Sequence, residues 1–250
     1  MWRAFVIAIR FLTIIPIPQR WCNQRFKEKH QTLSLIFYPL VGFMLGVLLL
    51  IAYFPTALFS DLLQAALLVA LWALLTGGLH LDGLADTADG WLGGHGDRFK
   101  TLRIMRDTHI GVAAVVTLVL TIIIKILLLA ELQQLKIQAL VLAPVIARAM
   151  ALLLFTTTGY VREEGIASVL TKGLPKQRIN LIVILVGVIS IAVLHIYSLL
   201  MLFVVLVGFL LMRYLMIKRI GGTTGDTAGV VIEFTEIGVL LGLVLAEVIL

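Results

Sequence analysis

The amino-acid sequence predicts an all-α, polytopic integral membrane protein with about seven transmembrane helices and an N-terminal interfacial helix. Three observations lead there. Of 250 residues, 61% are hydrophobic and 14% are charged, against roughly 45–50% and 25% in soluble domains. A mean hydropathy of +1.09 leaves too few polar residues to coat a water-soluble globule of this size. Stretches with one charge or none recur at about the 20-residue length that a helix needs to cross a bilayer, and basic residues gather in alternate connections, as they do in membrane proteins.

The elements follow in chain order. Residues 1–30 form the interfacial segment: Arg3 and Arg10 stand among apolar residues, no small-residue cleavage site follows, and Pro16 and Pro18 end the helix. Segment 33–54 is uncharged and spans; 62–79 is uncharged and marginal in length. Segments 110–130 and 137–158 each enclose one cation, Lys125 and Arg148, that needs a buried partner. Residues 179–212 would make one helix roughly 50 Å long, too much for a core of about 30 Å. The stretch therefore splits at 195–198, and its second half runs past Arg213 to Ile217. The last crossing is 229–250, and its Glu233 and Glu236 are the partners available to Lys125 or Arg148.

Topology follows from the cations. Arg20, Arg25, Lys27 and Lys29 join Arg3 and Arg10 near the N-terminus. Arg98, Lys100, Arg103 and Arg106 lie in 80–109; Arg162, Lys172, Lys176 and Arg178 in 159–178; and Arg213, Lys218 and Arg219 before the last crossing. The intervening connections hold only Lys136. Seven crossings put every basic connection on one side, which is the cytoplasmic side, with the N-terminus inside and the C-terminus outside. The net charge of +6 forms no single stripe with interleaved aromatics, so nucleic acid is not a partner. One cysteine, Cys22, excludes an intrachain disulfide and a multi-cysteine metal site. The chain is one domain, 1–250, with 80–109 as a cytoplasmic acidic and basic catalytic loop.

The chemistry concentrates at 77–98. Asp82, Asp86 and Asp89 are spaced i, i+4, i+7, so on a helix three carboxylates share one face and repel unless something positive sits among them. Mg²⁺ meets that need, because it binds through a few carboxylates, keeps waters and accepts phosphate oxygens. A solvated or helix-capping role is the alternative. Arg103 and Arg106, at i and i+3, are candidates for phosphate contact as well as topology determinants. His80 and His109 bracket the segment, and either could be a general base or merely structural. A second cluster at 221–229 offers Thr224 and Asp226 for a metal-phosphate cradle or, alternatively, as a helix N-cap after a glycine turn. Arg148 either pairs structurally or binds substrate, since its helix leads to Tyr160 and Arg162.

On these residues the sequence resembles the cobalamin synthase family, the adenosylcobinamide-GDP ribazoletransferases. The resemblance covers nearly the whole chain: Phe11-Leu12-Thr13 to Pro16-Ile17-Pro18, Tyr38-Pro39-Leu40-Val41-Gly42, the Gly-Gly-x-His-Leu-Asp-Gly-Leu-Ala-Asp-x-x-Asp-Gly run over 77–90, and segments 103–111 and 221–229. It implies a Mg²⁺-dependent enzyme of the bacterial inner membrane that joins adenosylcobinamide-GDP to α-ribazole or its 5′-phosphate. GMP is released and adenosylcobalamin or its phosphate is formed. Mg²⁺ on Asp82, Asp86 and Asp89 would neutralise the pyrophosphate, an aspartate or His80 would act as base, and Arg103, Arg106, Thr224 and Asp226 would contact phosphate. The size of the corrinoid leaves a homo-oligomer with a shared groove open. Two rivals remain. Asp86-Thr87-Ala88-Asp89-Gly90 also opens the D-x-x-D-G-x-x-A-R pattern of CDP-alcohol phosphotransferases, although Gly93 and Gly94 stand where Ala-Arg belongs. A cation-coupled transporter would also carry buried carboxylates.

Overall fold

The computed structural model describes residues 1–18, 21, 28–162 and 173–250; Cys22 and the cations Arg20, Arg25, Lys27 and Lys172 lie outside the described residues. Among the described residues the chain forms eleven α-helices and no strand: α1 Trp2–Leu12, α2 Glu28–Ser34, α3 Tyr38–Thr56, α4 Asp61–Leu75, α5 Leu79–Gly93, α6 Arg98–Ile104, α7 Val112–Glu131, α8 Lys136–Thr157, α9 Lys176–Leu194, α10 Tyr197–Ile220 and α11 Gly225–Ile249. Six are long and apolar enough to cross a membrane: α3 with its lead-in, α7, α8, α9, α10 and α11. The split at 195–198 is present, with His195 at φ 50° ending α9 and the Ser198 hydroxyl donating to its carbonyl at 2.5 Å.

Three expectations change shape. The crossing at 62–79 is not one straight helix, because α4 stops at Leu75 and the chain turns by 88° into α5. Gly77 and Gly78, at φ 63° and 68°, make that corner in the left-handed region open to glycine. Helix α4 is then about 22 Å long, and taking the bent pair α4 and α5 as one span gives seven crossings. Segment 80–109 is not a loop but holds the helices α5 and α6. The N-terminal helix also ends earlier, at Leu12, and buries Ala4, Val6, Ala8, Ile9 and Leu12.

The centre of the bundle is α8 and α11, 78% and 72% buried over their apolar windows, against 22%, 17% and 28% for α7, α9 and α10. Between helices in lipid, close backbone approach replaces the hydrophobic drive. Gly42 and Gly46, four apart on α3, serve it: a Cβ there would lie 2.4 Å from the Pro144 carbonyl oxygen and 2.7 Å from the Val141 Cα on α8. Leu181, Ile184, Leu185 and Val188 of α9 and Phe203 and Leu210 of α10 stay exposed on the outside, as a lipid-facing surface requires.

The intramembrane charges find each other as expected. Lys125 donates to Glu233 and to Glu236 at 2.5 Å each and sits 5.1 Å from the Trp72 ring centroid, and Arg148 pairs with Glu236. Two cations and two anions thereby cancel inside the bundle and tie α7, α8 and α11 together. At one end, Glu247 of α11 accepts the amides of Gln133, Gln134 and Leu135 before α8, and Lys136 pairs with Asp61 at 2.6 Å. The opposite end carries α5, α6 and, among the described residues, the cations Arg98, Arg106, Arg162 and Arg219.

Candidate active site

The acidic run is carried by α5, beside the starts of α11 and α7. Gly83 permits the contact with α11, since a Cβ there would lie 2.8 Å from the Asp226 Cα and carbonyl oxygen; Gly229 does the same against the His80 backbone. Asp226 is placed by its own local sequence. Gly221, at φ 77°, ends α10. Thr223 then pairs with the strand-like 159–161, donating to the Gly159 carbonyl at 2.9 Å while accepting the Val161 amide at 3.0 Å. Thr224 starts α11 through a capping box with Thr227: its hydroxyl accepts the Thr227 amide at 3.2 Å, and the Thr227 hydroxyl accepts the Thr224 amide at 2.8 Å. Asp226, in the first turn that follows, pairs with Arg162 at 2.6 Å.

These elements enclose a cavity of about 900 Å³ whose wall includes Arg10, Asp82, Asp86, Asp89, Arg106, Arg162 and Asp226. The carboxylates of Asp82 and Asp86 make no hydrogen bond or ion pair with the described residues, whereas Asp89 accepts the Gly111 amide at 2.6 Å and the Ala114 amide at 2.9 Å. It therefore caps the N-terminus of α7, where the helix dipole favours an anion. Among the described residues no three His, Cys, Asp or Glu side chains close around one point. A divalent cation here would rest on Asp82 and Asp86 and complete its shell with water and ligand oxygens, the habit of Mg²⁺. At the rim His109 hydrogen-bonds Asp107 at 2.6 Å, which raises the imidazole above its ordinary value and lowers the carboxyl.

The other sequence candidates scatter. Arg106 lines the cavity; Arg103 is exposed on α6 and lines neither this cavity nor its neighbour. Thr224 is fully buried as the α11 cap. Arg148 is fully buried in the charge cluster and borders neither cavity, so structural pairing is the role its position supports. His80 is 4% exposed and borders a smaller cavity behind the acidic one. Sequence reasoning missed Arg162, Arg10 and Phe11 as site residues. Arg162 was one cation among many in a basic connection, and Arg10 belonged to a helix read as interfacial; no local pattern marks either.

Fold and site together define a polytopic membrane enzyme with an acidic, arginine-flanked pocket at the basic end of its helix bundle. The family model described as cobalamin-5-phosphate synthase matches residues 4–244, and the chain belongs to that family of membrane transferases of cobalamin biosynthesis. It is 48% identical over 241 residues to an adenosylcobinamide-GDP ribazoletransferase of Stutzerimonas stutzeri (strain A1501), covering 96% of this chain and 97% of the relative. It is 46% identical over 240 residues to the protein of the same name from Pseudomonas fluorescens (strain Pf0-1), covering 96% and 98%. No solved structure matches the chain.

Proposed function

We propose that the protein joins adenosylcobinamide-GDP to α-ribazole or α-ribazole 5′-phosphate, releasing GMP and forming adenosylcobalamin or its 5′-phosphate. It works in the bacterial inner membrane with its N-terminus and site on the cytoplasmic face. The observation that carries this reading is the cavity of about 900 Å³ in which the uncommitted Asp82 and Asp86 stand near Arg10, Arg106 and Arg162. Such a wall suits a pyrophosphate bound together with a divalent cation. Mg²⁺ held by Asp82 and Asp86 would neutralise the pyrophosphate and the departing GMP. Arg106 and Arg10 contact the phosphates that the metal does not reach, because guanidinium pairs with phosphate bidentately. Arg162 is already engaged by Asp226 and holds that carboxylate in place.

One acceptor form carries phosphate on its 5′ oxygen and keeps it in the product, so a ribose-ring hydroxyl attacks the cobinamide-side phosphorus. The new P–O bond forms as the bond to the GMP oxygen breaks, and the hydroxyl proton passes to a carboxylate of the cluster, where Asp82 and Asp226 border both cavities. Positioning and charge neutralisation supply the rate. The test is GMP release by the protein in lipid nanodiscs given adenosylcobinamide-GDP and α-ribazole, with Mg²⁺ or with EDTA. GMP should appear only with both substrates and Mg²⁺. Folded protein that releases none overturns the reaction, and release that persists in EDTA overturns the metal.

A further inference from the structure

Behind the acidic cavity lies a second one of about 220 Å³, between α1, α3, α5, α8 and α11. The two share Phe11, Leu79, Asp82, Arg162 and Asp226, so they are neighbours with a common wall. The remainder of the smaller wall is mostly apolar, including Leu12, Ala151, Phe155 and Ile232. Three polar side chains interrupt it, Tyr38, His80 and Tyr160, the last already hydrogen-bonded to the Gly225 backbone. Tyr38 and His80 are 2% and 4% exposed, and the Tyr38 hydroxyl and His80 Nε2 have no hydrogen-bond partner among the described residues.

Buried hydroxyls and imidazole nitrogens are nearly always partnered in folded proteins. Packing does not require these two. The Tyr38 ring stacks on Phe11 with centroids 6.2 Å apart, which a phenylalanine would do equally well, and what α5 needs at position 80 is a backbone that Gly229 can approach. A partner that arrives with a ligand accounts for both atoms. A small, apolar recess with unspent hydrogen-bonding capacity, opening beside carboxylates, suits a flat heterocycle carried on a polar stem.

We infer that the smaller cavity seats the aromatic base of the acceptor, with its ribose reaching the common wall at Asp82 and Asp226. The inference rests on the proposed reaction, whose acceptor is a dimethylbenzimidazole on ribose. That base presents apolar faces and a single in-plane nitrogen lone pair. The Tyr38 hydroxyl is the donor at hand for it, and His80 Nε2 is left to pair with a hydroxyl of the attached ribose.

The experiment uses the full chain in nanodiscs, with Tyr38→Phe and Ala151→Leu. Tyr38→Phe should raise KM for α-ribazole about ten-fold, with kcat and the KM for adenosylcobinamide-GDP within about two-fold of the parent. Ala151→Leu shrinks the recess and should discriminate against the dimethylbenzimidazole riboside relative to the unsubstituted benzimidazole riboside. Parent turnover with both variants kinetically unchanged overturns the inference and leaves the reaction standing; so does a loss confined to kcat. If the parent itself does not turn over, the reaction has failed, and titration of 5,6-dimethylbenzimidazole into the folded protein decides the cavity. Saturable binding weakened by Ala151→Leu supports it, and no binding overturns it.

Discussion

Asp89 accepts two amides at the start of α7, while the oxygens of Asp82 and Asp86, two turns and one turn earlier on the same helix, have no partner among the described residues. One-face spacing was legible in the sequence because it is a property of 3.6 residues per turn. The answer to the third carboxylate was not, since Gly111 and Ala114 reach it only through the packing of α7 on α5. The three residues should therefore part company in stability. Without metal, Asp86→Asn removes a like charge from a wall that holds Asp82, Asp89 and Asp226, so the thermal midpoint in EDTA should not fall. Asp89→Ala strips the amides of their acceptor and should cost about 1–2 kcal/mol, read as a lower midpoint in the same scan. Turnover should fall at least about a hundredfold for Asp82→Asn and Asp86→Asn, since each removes charge from the wall proposed to handle phosphate; near-parent GMP release by either would remove that residue from the site.

Helix α5 is useful because of where its backbone can go. The corner at Gly77 and Gly78 turns it out of line with α4, and Gly83 lets it touch Asp226. Helix propensity alone favours Gly83→Ala by about 1 kcal/mol. Contact opposes it, since the new Cβ would lie 2.8 Å from backbone that cannot rotate away, an overpacking cost of about 1–3 kcal/mol. The second effect is the larger, so the variant should be less stable. Its turnover should drop roughly ten- to a hundredfold as Asp82 and Asp86 shift against Asp226. Gly187→Ala on α9, where a Cβ meets nothing within 4 Å, is the matched control and should be neutral or slightly stabilising. Equal behaviour of the two variants in melting and GMP assays would show that the α5–α11 contact does not set the site.

Across the bundle, Lys125, Arg148, Glu233 and Glu236 form one neutral cluster, and removing one member is unlike removing a pair. Lys125→Met leaves two glutamates to one arginine and should cost about 3–5 kcal/mol, whereas adding Glu233→Gln restores neutrality and should recover much of that loss. Unfolding in mixed micelles reads both; a double variant no better than the single would mean that the cluster is not balanced by charge. The clustering of basic connections at the site end predicts orientation as well. A reporter fused after Arg98 should read cytoplasmic and one after Leu250 periplasmic, and the reverse readings would place the site on the other face.

The crossings, the break at 195–198, the pairing of Lys125 and Arg148 with Glu233 and Glu236 and the shared face of the aspartates could all be read from the chain. Each depends on hydropathy over one helix length, on a charge that lipid will not tolerate alone, or on helical spacing. The 88° corner into α5 and the capping role of Asp89 could not be read in that way. Nor could the recruitment of Arg10 and Arg162 to the acidic wall, or the small cavity with its unpartnered Tyr38 and His80. Those features arise where helices distant in sequence meet, at separations set by glycines whose neighbours no local pattern names, so they took form only when the bundle packed.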